Sequence, residues 1–225
     1  MRAVARAAIA GAAILSAFFL SYSAVSLSTE DAIVARAGEK LDSPTWHARP
    51  PSLEEWLRVR NELLEAKRLA PSDPAAPESL GVLHARRAST PEMLAYAHDY
   101  FHQALLLRPT SPYTWANYAN TEYRLGRIGA DFDRAFGNAM RLGPWEPAVH
   151  RLGADLGLAT YSQVTPAMRE EIRALVGRSM LRSPIETLQI AEHRGRLDIA
   201  CPFAGNNRRL TDPAWIARCA RQPGG

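Results

Sequence analysis

The stretch "LLLRPTSPYTWANYANTEYRLG" (Leu105–Gly126) decides how this chain is read. A leucine run meets Pro109, Pro112 follows, and an Asn-dotted aromatic segment opens at Trp115. Alone, it would be an aromatic loop with the look of a sugar site. It is not alone. "LAPSDP" carries Pro71 and Pro74, "LRPTSP" carries Pro109 and Pro112, and "LGPWEP" carries Pro144 and Pro147. The first prolines are 38 and 35 residues apart (109 − 71 and 144 − 109). Eight residues before each stand Leu63, Phe101 and Phe136; five before stand Ala66, Ala104 and Ala139; twelve before stand Val59, Ala97 and Phe132. A large and a small residue three apart share one helical face and let a neighbouring helix approach at the alanine. Each proline then ends its helix, because it has no N–H and its ring clashes with the preceding turn.

The segments after the prolines also correspond. Leu80-Gly81 and Leu152-Gly153 follow Pro74 and Pro147 at nearly equal distance, and Tyr118-Ala119 holds that place in the middle copy. No stretch alternates apolar and polar residues as a half-buried strand does. A fourth, looser copy has its second helix from Pro166 to Leu181, followed by a capping helix over Ile185–Arg194. The pattern resembles the tetratricopeptide repeat: Ala97, Phe101, Ala104 and Pro109 have the spacing of its second helix, as do Phe132, Phe136, Ala139 and Pro144. Trp115 and Gly126 sit one residue off that register, and the turn "RRASTPEM" is longer than the consensus. The fold class expected is all-α: an N-terminal transmembrane helix and then a short α-solenoid of degenerate helical hairpins.

The chain has 225 residues, 47% hydrophobic and 22% charged, which is a globular balance. Its 27 Lys and Arg exceed its 23 Asp and Glu, but Arg2 and Arg6 precede the first apolar run, leaving an excess of two (25 − 23) spread along the chain. No basic stripe calls for nucleic acid. From Ala7 to Thr29, 23 residues pass without a charge. About 20 apolar residues cross a bilayer, and the two arginines favour a cytoplasmic N-terminus. The other reading is a cleaved signal peptide, with Ser21-Tyr22-Ser23 as a small-x-small site. The division expected is an anchor over residues 1–28, a juxtamembrane helix and Pro-rich linker over 29–52, the repeat domain over 53–195, and a tail with a short helix over 196–225. The tail contains Gly205-Asn206-Asn207, a helix start at Thr211-Asp212-Pro213, and a terminal Pro-Gly-Gly. It also holds both cysteines, Cys201 and Cys219, which outside the cytoplasm are a disulfide candidate.

His98 and His102 share a helix face at i and i+4, the spacing of zinc ligands in H-E-x-x-H, but Asp99 replaces the glutamate and Phe101 takes a core slot. No third ligand follows at a telling distance, so neither a metal nor another cofactor is expected. Glu54-Glu55, Asp131/Asp133 and Glu170-Glu171 read as charged helix faces beside arginines. No G-x-S-x-G, P-loop or G-x-G-x-x-G is present, and no catalytic residue is expected. Asn117, Asn120 and Arg124 lie three and four apart and can line one side of a helix. The repeat resemblance implies that this helix faces the concave groove, which makes these three the candidates for contact with a ligand or partner. Trp115 matches a packing position, and Trp145 sits in an inter-repeat turn.

A second resemblance concerns residues 95–200, through "TWANYANTEYRLG", "DFDRAFGNAMRLGPWEPAVHRLGADLGL" and "LRSPIETLQIAEHRGRL" behind a single anchor. These look like the accessory proteins encoded in bacterial exopolysaccharide and O-antigen-type biosynthesis clusters. The resemblance implies a noncatalytic scaffold on the periplasmic side of the inner membrane, with membrane proteins of polysaccharide assembly or export as partners. A repeat protein serving another envelope machine, of secretion or cytochrome maturation type, and an unrecognised enzyme are the alternatives. Whether the groove takes peptide or sugar stays open.

Overall fold

The computed structural model describes residues 2–205 and 207–222, and side chains from Ala13 onward apart from His47. Asn206 and the terminal Pro-Gly-Gly lie outside the described residues, as do the side chains of Arg2 and Arg6. Among the described residues there are helices and no strand. A long first helix, α1 (Arg2–Leu41), and a short α2 (Pro44–Ala48) precede the alternating series. The series runs α3 (Leu53–Leu69), α4 (Ala75–Arg87), α5 (Pro91–Leu107), α6 (Pro112–Arg124), α7 (Ala130–Leu142), α8 (Pro147–Thr160), α9 (Pro166–Arg182) and α10 (Pro184–His193). The tail adds α11 (Leu197–Ala200) and α12 (Pro213–Cys219). The Pro-rich linker of residues 41–52 is therefore less irregular than its composition suggests, since Ser43 caps α2 and Pro44 opens it.

Local chemistry sets the boundaries. Ser52 and Glu55 form a reciprocal capping box at the start of α3. Thr90, Ser111 and Thr165 each accept a hydrogen bond from a backbone N–H two or three residues into the helix, and each is followed by a proline whose missing N–H costs nothing there. The two prolines of each Pro-x-x-Pro divide the work: Pro109 and Pro144 stop one helix, while Pro112 and Pro147 open the next. At the fourth junction Pro184 does both. The helices α6 and α10 end alike, on Gly126 and Gly195 with φ of +71° and +65°, which a residue with a Cβ adopts at a cost. The following N–H groups close the ends, Arg127 to the Glu122 carbonyl and Arg196 to the Ala191 carbonyl.

The series packs as two rows. Helices α4, α6, α8 and α10 touch one another in succession and form the inner row, while α3, α5, α7 and α9 flank it more widely spaced. The hairpins α4–α5, α6–α7 and α8–α9 are the repeat units of a short α-solenoid. The residues spaced from the prolines fill the core: Leu63, Phe101 and Phe136, with Ala66, Ala104 and Ala139, are all essentially inaccessible. Phe132 stacks on Phe136 with ring centroids 5.8 Å apart. Gly81 is where Phe101 packs, and a Cβ there would come within 2.6–2.9 Å of its ring.

The first helix changes environment along its length. From Ile14 to Val25 its large apolar residues stand exposed, whereas Ser26, Glu30, Ile33, Ala37 and Leu41 form a buried stripe against α3 and α4. Residues 29–41 are thus one continuous helix with the apolar segment. From Ala13 on, α1 is long and apolar enough to cross a membrane.

Candidate functional site

The inner row carries the candidate residues. Asn117 and Asn120 are half-buried on α6, and with Arg124 they line a cavity of about 210 Å³ whose other wall is Val82, Ala85 and Arg86 of α4, floored by Phe101. Neither asparagine side chain makes a hydrogen bond among the described residues, so two amides, each with two donors and one acceptor, point into a polar cleft.

Arg124 differs from its neighbours. Its guanidinium donates to the carbonyls of Ala85 (2.8 Å) and Ala88 (3.3 Å), closing the C-terminal end of α4. Partial burial lowers its pKa from the usual arginine range. A cation at a helix C-terminus satisfies orphan carbonyls and the dipole together. Arg124 therefore ties α6 to α4 and shapes the cleft wall, while the asparagines are the groups left to meet an occupant.

Among the described residues no group of three or more His, Cys, Asp or Glu is placed to hold a cation, and the two histidines part ways. His98 turns inward, with Nε2 2.6 Å from Glu122 Oε1 and its ring 4.5 Å from that of Tyr118, while His102 stays exposed. Glu122, 4% exposed, is a buried acid the sequence reading overlooked. Burial, and then the charge of Glu122, raise the Tyr118 pKa. Trp115 is half-buried against the core, and its indole N–H donates to the Pro109 carbonyl (2.8 Å). Trp145 is 64% exposed, with one face near the His150 ring at 6.4 Å.

At the far end, the sulfurs of Cys201 and Cys219 are bonded, with Cα atoms 5.0 Å apart. The bridge, with Pro202, Leu210 and Ile216, walls an apolar cavity of about 380 Å³ in the tail. The Arg194 guanidinium grips both oxygens of Asp155 (2.7 and 2.6 Å) and ties α10 back to α8.

No protein-family model matches the chain, and no curated protein matches it. Among solved structures it is similar to one described as "Functional Characterization of Pseudomonas Aeruginosa pilF". The two share 16% identity at a TM-score of 0.33, over 87% of this chain and 98% of that one. That likeness carries no argument about a ligand, and the functional reading rests on the cleft and on the helix that leads into it.

Proposed function

We propose that this chain is a noncatalytic, membrane-tethered repeat scaffold that holds a protein partner in the cleft between α4 and α6. The observation that carries the reading is the pair of unpaired amides, Asn117 and Asn120, on the inner row of a solenoid whose first helix exposes apolar side chains from Ile14 to Val25. Inner-row clefts of stacked helix pairs are extended binding surfaces. A bare amide pair recognises a backbone or side-chain polar group at little cost in rearrangement.

In this reading residues 1–28 anchor the chain in the inner membrane with the N-terminus cytoplasmic. Residues 29–52 lead into the repeat domain of residues 53–195, and the tail of 196–225 closes it on the periplasmic side. The bonded pair Cys201–Cys219 supports an oxidising compartment. The resemblance over residues 95–200 supports membrane proteins of polysaccharide assembly or export as the partners, rather than another envelope machine.

The test is capture from native membranes. A photo-crosslinking residue placed at Val82, on the α4 wall of the cleft, joins the full-length chain to its partner, which mass spectrometry identifies. The double variant Asn117→Ala/Asn120→Ala is expected to lose that adduct while keeping its helicity. An adduct of undiminished yield would remove the cleft from consideration. Glycosyltransferase or polymerase partners support the polysaccharide role, and secretion components replace it.

A further inference from the structure

Exposed apolar side chains recur at successive junctions of the repeat region. Outside α1, seven of the twelve large hydrophobic residues exposed among the described residues stand where outer-row helices end and inner-row helices begin, while Leu53, Leu57, Tyr96, Phe203 and Ile216 lie elsewhere. The second junction presents Leu106, Leu107 and Tyr113, the third Leu142 and Trp145, and the fourth Leu181 and Ile185. Alternating antiparallel helices put all these junctions along one edge of the solenoid. Polar bonds link them into a continuous rim. Lys67 donates to Gln103 and Thr114 to Glu78 (2.7 Å), Tyr113 donates to Glu146, and Arg182 donates to the Trp145 carbonyl (2.8 Å).

The apolar helix leaves the domain at this same edge. Lys40 lies 3.9 Å from Glu62, Ala37 and Leu41 pack with Trp56 and Val59, and Ile33 packs with Ala66 and Ala76. The first helix therefore runs antiparallel to α3, and its bare part projects past the first junction. The buried stripe begins at Ser26. In the anchor reading the span covers residues 7–25, and 19 residues at 1.5 Å each reach about 28 Å, close to the ~30 Å hydrocarbon core. No spacer separates the span from the rim. Beside the Glu78 and Glu146 carboxylates, the rim carries two arginines near Trp145. Arg141 donates to the Asn138 amide and Arg182 to the Trp145 carbonyl, so the arginines flanking Trp145 are not neutralised by a carboxylate among the described residues.

We infer that this rim is a second membrane contact. Leu106, Leu142, Trp145 and Leu181 enter the headgroup layer of the bilayer that holds α1, and Arg141 and Arg182 meet acidic phospholipid headgroups. The inference rests on the anchor reading. The solenoid then lies along the membrane with its inner row facing sideways, open to the soluble part of a neighbouring membrane protein. Exposed apolar patches of this kind mark an interaction surface, and Trp and Tyr with arginines are the side chains that settle at an interface.

The full-length chain is reconstituted into vesicles of phosphatidylethanolamine and phosphatidylglycerol, with and without brominated acyl chains. Trp145 emission is isolated as the difference between the chain and its Trp145→Phe variant. Brominated lipid is expected to quench that component. Exchanging phosphatidylglycerol for phosphatidylcholine, or substituting Arg141→Gln with Arg182→Gln, weakens the quenching. The triple variant Leu106→Glu/Leu142→Glu/Leu181→Glu, whose side chains are solvent-facing and leave the core intact, abolishes it without loss of helicity. A chain that floats with carbonate-washed vesicles yet shows unquenched Trp145 overturns the rim contact and leaves the anchor standing. A chain that does not float removes the anchor, and the inference with it. A photo-crosslinker at position 145 that joins protein rather than lipid in native membranes assigns the rim to a partner instead.

Discussion

The two ends of the solenoid are closed by opposite means. At the N-terminal end, α1 lies on α3 and α4 through a stripe that buries groups able to ionise. Glu30 is fully buried with neither carboxylate oxygen hydrogen-bonded among the described residues, and His84 Nε2 is likewise without a hydrogen-bond partner, the ring packed near Trp56 and Tyr100. At the C-terminal end, the tail is fastened by the Cys201–Cys219 bond, by Arg194 on Asp155, and by Asn207 donating to the Met180 carbonyl (2.7 Å). One seam buries a carboxyl group with no hydrogen-bond partner among the described residues, and the other is tied by an ion pair and a side-chain hydrogen bond and adds a covalent link. A seam of the first kind answers to pH, whereas one of the second kind answers to redox state.

The largest expected effect breaks the second seam. Closing an 18-residue separation with a disulfide contributes about 3 kcal/mol in the chain-entropy model. The Cys201→Ser/Cys219→Ser variant is expected to lose that much in denaturant unfolding. Amide exchange should accelerate in α11 and α12 and stay unchanged in α3 and α4. Equal acceleration at both ends would erase the contrast. A smaller effect is expected at Gly81→Ala, where the new methyl meets the Phe101 ring inside the α4–α5 hairpin. Overpacking of this sort costs about 1–3 kcal/mol, read as a lower midpoint in urea.

Much of this contrast is absent from the sequence, and the reasons differ residue by residue. The prolines at 71, 109 and 144 were legible because a missing N–H acts locally, whatever surrounds it. The core of Phe101, Phe136 and their alanines was legible because helical spacing is local too. Glu30 is simply the first charge after an apolar run, and nothing nearby says that α3 and α4 fold over it. Glu122 left a trace: it lies three and four residues after Ala119 and Tyr118, both buried, so helical spacing alone puts it on the packed face. The tie that Arg124 makes to α4 left none, since its carbonyl targets at Ala85 and Ala88 are 39 and 36 residues away. Spacing placed Asn117, Asn120 and Arg124 on one face, whereas the other wall of the cleft belongs to α4, which starts 37 residues before α6 (112 − 75).

The smallest effects sharpen the first seam and oppose each other. Burial, then Asp73 and Asp31, raise the Glu30 pKa from 4.5 to about 7. The folded state therefore binds more protons than the unfolded chain between those values, and stability falls as pH rises through that window. Burial, and then Arg60, lower the His84 pKa from 6.5 to about 4. Here the unfolded chain binds more protons, so stability falls as pH drops from 6.5 toward 4. Between pH 4.5 and 6.5 the two slopes cancel, and the native N-terminal seam should look nearly insensitive to pH. Single variants unmask it. Glu30→Gln is expected to gain about 1–2 kcal/mol at pH 8, short of full relief because the amide also lacks partners. It leaves the His84 slope exposed, a loss of about 1 kcal/mol on going from pH 6.5 to 5.5. His84→Phe should tilt the other way and weaken as pH rises. Denaturant midpoints at four or five pH values, taken for the native chain and both variants, distinguish a compensated pair from two inert residues: inert residues give three parallel curves, whereas a compensated pair gives two that cross.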